Sequence, residues 1–151
     1  GNLTEALLAE IAESPLFARA DLRVAPASPG KAERLLPLLT CPRATLYVNL
    51  EEAGLLAMAR FASAPEAAEA LRIRGATRVL VTDGGRTAAE AGPDGLRTAE
   101  PPEVLVTRVT GAGDTFMAAH IAAESRGVTG DAALAEALRA AADHVSGEVD
   151  A

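Results

Sequence analysis

Apolar residues recur along this chain in two rhythms, and the switches between them mark out its elements. Leu3, Leu7, Leu8 and Ile11 share one face of a predicted helix, begun by Asn2 with Glu5 three residues later and ended near Ser14-Pro15. Residues 21–25 predict a short strand stopped by Pro26. Ser28-Pro29-Gly30 opens a second helix with proline in its first turn, and Ala32, Leu35, Leu36 and Leu39 form its apolar face. A β-rich run over 45–49 follows Pro42. Residues 51–61 and 65–73 predict two helices separated by Ala62-Ser63-Ala64.

Residues 77–82 predict another strand, ending at Asp83-Gly84-Gly85. Turn residues at Gly92-Pro93 and Asp94-Gly95 make 86–99 a β-hairpin, and Val104-Leu105-Val106 is a further short strand. Helices over 113–126 and 131–145 close the chain. Helices alternating with short hydrophobic strands predict an α/β fold with a mostly parallel sheet flanked by helices. The chain reads as one domain, or one piece of one.

Composition narrows the field. With 151 residues the chain can bury a real core. Arg and Glu interrupt every apolar stretch, so no membrane span is expected. The first residues lack the basic and apolar blocks of a signal peptide. They begin with Gly rather than Met, which sets the expectation of a processed or truncated product. A formal charge of −7 argues against a partner that is a nucleic-acid polymer, whose phosphates select for Lys and Arg. It leaves room for a nucleotide, since one phosphate group can be held by backbone N–H groups. Cys41 is the only cysteine, which fits a reducing, cytoplasmic setting and excludes an internal disulfide. His120 and His144 lie on helical stretches with no partner at metal-ligand spacing, and both read as structural.

The chemistry concentrates in Gly111-Ala112-Gly113-Asp114, between an extended segment and a long helix. Glycines let the backbone approach a ligand closely. The first N–H groups of the helix lack partners within it, and the helix dipole adds positive charge, so an anion is favoured there. Asp114 stands beside that place and could accept a proton from an attacking hydroxyl. From Thr115 to Ala123 the helix has no charged residue at neutral pH, which predicts a buried helix holding its N-terminus rigidly. Gly-x-Gly before a helix is also common in structural settings, and Asp in a first turn often only complements the dipole.

The stretch from Val106-Thr107 to Phe116 resembles the second signature of the ribokinase (PfkB) family of carbohydrate and nucleoside kinases. Asn49-Leu50-Glu51-Glu52 is similar to that family's Asn-x-x-Glu motif, and Val81-Thr82-Asp83-Gly84 to its Val-Thr-x-Gly turn, in the same order. Residues 26–35 most resemble a stretch of pseudouridine kinases. The resemblance implies a ribokinase-like fold of which 1–151 is the C-terminal, nucleotide-binding half, with the N-terminal half and lid missing. It implies that Asp114 deprotonates a hydroxyl of a sugar or nucleoside. The N–H groups of Gly111, Ala112, Gly113 and Asp114 would hold the transferring phosphoryl group. Thr82, Gly84 and Thr110 would bind ATP, and Asn49 and Glu52 would organise Mg2+ through water.

The family pattern is broken at Thr87, where a glycine is usual, and at Ala25, where pseudouridine kinases have Asp. Asn49 and Glu52 also fit a plain helix N-cap with a capping box. Thr82 fits an ordinary strand and Asp83-Gly84 an ordinary turn. A non-catalytic nucleotide-binding module, or a degenerate kinase paralogue, is the other reading. A Rossmann dehydrogenase fragment is disfavoured because the Gly-x-Gly comes late in the chain. Half a sheet is expected to need a partner, either its own missing half or a second copy.

Overall fold

The structure, a computed structural model, describes residues 4, 6–7, 21–26, 32, 35–102 and 112–146. Most of the helix expected over the first residues, the helix start at 28–30, the strand at 104–106 and the candidates Thr110 and Gly111 lie outside these residues.

Five strands form one sheet in chain order: β1 (Leu22–Val24), β2 (Ala44–Asn49), β3 (Arg78–Asp83), β4 (Arg86–Gly92) and β5 (Gly95–Ala99). The first three run parallel, and β4 and β5 add antiparallel partners through two tight turns. The sheet is therefore mixed. Its parallel part comes from strands joined by helical crossovers, and its antiparallel part from the hairpins.

On one face lie α1 (Leu36–Leu39), α2 (Leu50–Ala57) and α3 (Ala64–Ile73). Leu35, Leu38, Leu56 and Leu71 pack there against Leu46, Val48, Val79 and Val81. On the other face lie α4 (Ala112–Ser125) and α5 (Gly130–Ser146), with Phe116, Leu134 and Leu138 against Tyr47, Leu80 and Ala88. Alternate strand residues point to opposite faces, which is why Tyr47 and Leu80 belong to one core and their neighbours to the other. The inward positions of β4 are Ala88, Ala89 and Ala91, so helices approach the sheet closely there.

Several expectations shift by a few residues. Leu36 is exposed and Leu38 takes its place in the core, because the chain turns into α1 only after Leu35. The helix expected over 51–61 stops at Ala57. Met58 adopts φ 53°, in the left-handed region, and Ala59 N–H donates to the Gly54 carbonyl at 3.0 Å. That closure folds the chain back over Gly54, where a Cβ would lie 2.8 Å from the Ala59 carbonyl oxygen. Only glycine admits so close an approach.

The helix α4 is buried along Phe116, His120 and Ala123 alone, whereas Ala118 and Ala122 are exposed. The uncharged run predicts a buried helix, and the burial is confined to that one stripe. Alanine removes little apolar area from water, so an Ala-rich face does not compel burial as a Leu-rich one does. Among the described residues no helix is long and apolar enough to cross a membrane.

Candidate functional site

The C-terminal ends of β2 and β3 lie side by side, and Asn49 is the register partner of Thr82. By alternation both occupy the sheet face of Tyr47 and Leu80, the face covered by α4 and α5. Two predicted site residues, 33 positions apart in the sequence, thus meet at the strand ends, where open α/β sheets bind ligands. The ladder between β3 and β4 shifts register between Val81 and Asp83, a bulge that falls on Thr82. Gly84 follows in the turn with φ 57°, a left-handed conformation that favours glycine. It is exposed.

Asn49 caps α2. Its Oδ1 accepts from Glu52 N–H at 2.8 Å, and Glu52 Oε1 accepts from Asn49 N–H at 2.8 Å. The capping box is therefore real, and it fixes both side chains at the mouth of the strand ends. Burial pushes the Glu52 carboxyl above its ordinary range. The cap hydrogen bond opposes this, while the charges of Glu51 and Asp114 add to it. Of these causes, that of Asp114 is the smallest.

Ala112, Gly113 and Asp114 form the first turn of α4, and Gly113 and Asp114 are exposed. Asp114 thus faces outward from the protein interior. A Cβ built on Gly113 would meet nothing within 4 Å among the described residues, so no packing neighbour there demands glycine. No group of three or more His, Cys, Asp or Glu able to hold a metal occurs among the described residues. A site with one carboxylate, such as Glu52, fits only an ion like Mg2+, which keeps most of its waters and is held by one or two carboxylates with substrate phosphates.

Sequence reasoning missed a polar cluster at the other end of α4. Arg78 at the start of β3 grips Glu124 with both terminal nitrogens, Nη1 to Oε1 at 2.9 Å and Nη2 to Oε2 at 2.5 Å. Its Nε also donates to Glu90 Oε2 at 2.6 Å. Arg23 of β1 donates through Nη1 to Glu124 Oε1 and to Tyr47 Oη, both at 2.7 Å. Tyr47 Oη lies 2.8 Å from His120 Nδ1. Burial alone would raise the Glu124 carboxyl, but the hydrogen bonds from Arg78 and Arg23 outweigh it and hold it at about 2. Burial lowers His120, which therefore stays neutral at pH 7, in keeping with a structural role. A sequence signal did exist: Arg23, Arg78 and Glu90 are ionisable residues within strands, and such groups need partners when they turn inward.

The model of the pfkB family of carbohydrate kinases matches residues 2–147. The chain belongs to this family. A carbohydrate kinase from Agrobacterium tumefaciens is 30% identical, with TM-score 0.74, over 93% of this chain and 44% of its own. Phosphofructokinase-2 from Escherichia coli is similar with TM-score 0.75 at 18% identity, over 95% of this chain and 47% of its own. Adenosine kinase from Sinorhizobium meliloti gives TM-score 0.75 at 17% identity, over 92% and 43%. The last two likenesses concern the fold alone. This pfkB family chain spans less than half the length of these three structures. No curated protein sequence matches it significantly.

Proposed function

We propose that this chain is the C-terminal, nucleotide-binding and catalytic half of a kinase that transfers the γ-phosphoryl group of ATP to a hydroxyl of a sugar or nucleoside. One observation carries the reading. Asp114 lies in the exposed first turn of α4, the helix packed on the sheet face to which Asn49 and Thr82 belong at the strand ends. Phosphoryl transfer needs mainly positioning and charge stabilisation, and these elements supply both.

In this mechanism Asp114 takes the proton of the acceptor hydroxyl as its oxygen bonds to the γ-phosphorus. The bond from that phosphorus to the β–γ bridging oxygen breaks, and ADP leaves. The N–H groups of Gly111 to Asp114 hold the charge on the equatorial oxygens, assisted by the helix dipole. Thr82, Gly84 and Thr110 contact the phosphates of ATP. Asn49 and Glu52 would hold Mg2+ through its waters, and the ion would supply charge neutralisation at the phosphates.

Pseudouridine is the first acceptor to assay, on the resemblance of residues 26–35. Two positions of that stretch, Ala32 and Leu35, are fully buried and serve the core, so the resemblance alone points to this substrate. Among the described residues β1 is an edge strand, where the remainder of the protein or a second copy would pair.

Replacing Asp114 with Asn in the full-length protein should lower kcat by about 100-fold or more, the usual size for a positioned general base. A loss below about tenfold would remove Asp114 from that role. Because the chain spans less than half of structures such as the Agrobacterium tumefaciens carbohydrate kinase, a non-catalytic nucleotide-binding module is the second reading. Calorimetry with ATP and Mg2+, followed by an acceptor-dependent ATPase assay on the full-length protein, separates the two. Binding without turnover favours the module.

A further inference from the structure

Six residues beyond Asp114, α4 passes Tyr47 of β2, and Tyr47 in turn lies two residues before Asn49. The two ends of the candidate site are thus tied by one hydrogen bond between the elements that carry them, Tyr47 Oη to His120 Nδ1 at 2.8 Å. The Arg23 guanidinium can only donate, and it donates to Tyr47 Oη at 2.7 Å. That leaves the tyrosine proton available to His120 Nδ1 in the tautomer whose hydrogen is on Nε2. His120 is fully buried, and Nε2 has no partner among the described residues, so its polar contacts lie on the Nδ1 side, to Tyr47 at 2.8 Å and towards Glu124 Oε1 at 3.7 Å. Phe116 stacks on His120 at 6.3 Å and 15°, and meets Tyr47 edge-on at 6.4 Å.

Phe116 and the partly buried Met117, Ala119 and Ile121 pack α4 against Tyr47, Leu80 and Ala88, an apolar contact without direction. Directional polar contacts add to it in defining the axial position. The Arg pair on Glu124 holds the far end of the helix, and the Tyr47–His120 bond is the polar contact nearer the reacting end. From His120 to Asp114 the helix rises roughly 9 Å, so a shift at His120 is passed rigidly to the carboxylate.

We infer that Tyr47 and His120 are positioning residues. Their hydrogen bond sets the height of the α4 N-terminus, and so of Asp114, relative to Asn49 and Glu52 on β2 and α2. The inference rests on the phosphotransfer reading above, in which Asp114 is the base. Displacements on the order of 1 Å cost up to about 100-fold in such sites.

The test uses the full-length protein with ATP and the acceptor that it turns over. Tyr47→Phe, which removes only the hydroxyl, should lower kcat about tenfold with KM for ATP within about twofold of wild type. His120→Leu should do the same. His120→Asn, whose side-chain oxygen can accept where Nδ1 does, should keep kcat within about threefold. Hydrogen exchange at the amides of residues 113–115 should quicken in Tyr47→Phe and His120→Leu but not in His120→Asn.

A Tyr47→Phe enzyme with wild-type kcat overturns the inference, as does His120→Asn being as damaging as His120→Leu. Should Tyr47→Phe not fold, the two His120 variants carry the same comparison. Asp114→Asn run alongside separates the failures. If it retains most activity, the phosphotransfer reading falls and amide exchange alone decides the link. If it is inactive while both Tyr47→Phe and His120→Leu are unimpaired, only the link falls.

Discussion

Glu124 is the residue through which the start of the sheet holds the C-terminal end of α4, and its contribution can be worked out. Its side chain is 14% exposed and accepts hydrogen bonds from Arg23 and Arg78, whose side chains are 17% and 21% exposed. The carboxyl titrates at about 2 against an ordinary value of 4.5. At 1.36 kcal/mol per pH unit, that difference corresponds to about 3 kcal/mol. The guanidinium groups keep some contact with water, so about 2–3 kcal/mol is the expected contribution.

Glu124→Gln keeps the shape and one acceptor oxygen but loses the charge, while Arg78 retains Glu90 and Arg23 retains Asp21. At pH 7 the variant should lose about 2–3 kcal/mol, a fall in Tm of roughly 5–10 °C for a chain of this size. The sign with pH follows from linkage. A carboxyl depressed in the folded state stabilises fully above its unfolded value of 4.5. That stabilisation is lost as pH falls towards about 2. The gap between wild type and variant should be constant from about pH 6 to 8 and shrink from about pH 4.5 downward. Urea unfolding followed by circular dichroism at pH 7, 5, 4 and 3 measures it. A gap below about 0.5 kcal/mol at pH 7 would refute the argument, and so would one that stays constant down to pH 3.

Two further substitutions test the site and its support. Glu52→Gln preserves the capping box, since Gln also closes it, so stability should stay within about 0.5 kcal/mol. The Mg2+ concentration for half-maximal velocity should nevertheless rise about tenfold, as for other groups that act on a metal through its waters. An unchanged Mg2+ requirement would reduce Asn49 and Glu52 to a cap. Gly54→Ala places a Cβ 2.8 Å from the Ala59 carbonyl oxygen, a backbone atom with little room to yield. The helix-propensity gain of about 1 kcal/mol is outweighed by this clash, for a net loss of about 1–2 kcal/mol. A variant that melts higher than wild type would show that the chain does not pass so closely over position 54.

What could be read from the sequence was what short-range rules determine. The strands over 45–49 and 77–82, the hairpin over 86–99 and the two closing helices appear within a residue or two of expectation, because alternation and turn chemistry act locally. Asn49 and Glu52 were visible for the same reason, three residues apart across one helix start. Misses arose where neighbours in space decide. Met58 ends α2 early because the chain folds back over Gly54, which a uniform apolar pattern over 51–61 does not reveal.

The cluster around Glu124 was invisible for a stronger version of that reason. Its hydrogen bonds join Arg23 to Glu124 across 101 positions and Arg78 to Glu124 across 46. Each arginine alone looks like a polar residue near a strand end. Yet the same helix carries Asp114 in its exposed first turn and Glu124 near its last, with His120 between them. A signature that advertises itself in sequence is therefore held in place by residues that do not. On the proposed reading, the glycine-rich turn supplies the local chemistry, and the distant arginines and Tyr47 supply the rigidity that such chemistry requires. Substitutions at these supporting positions should be felt at Asp114, although none of them belongs to a recognisable motif.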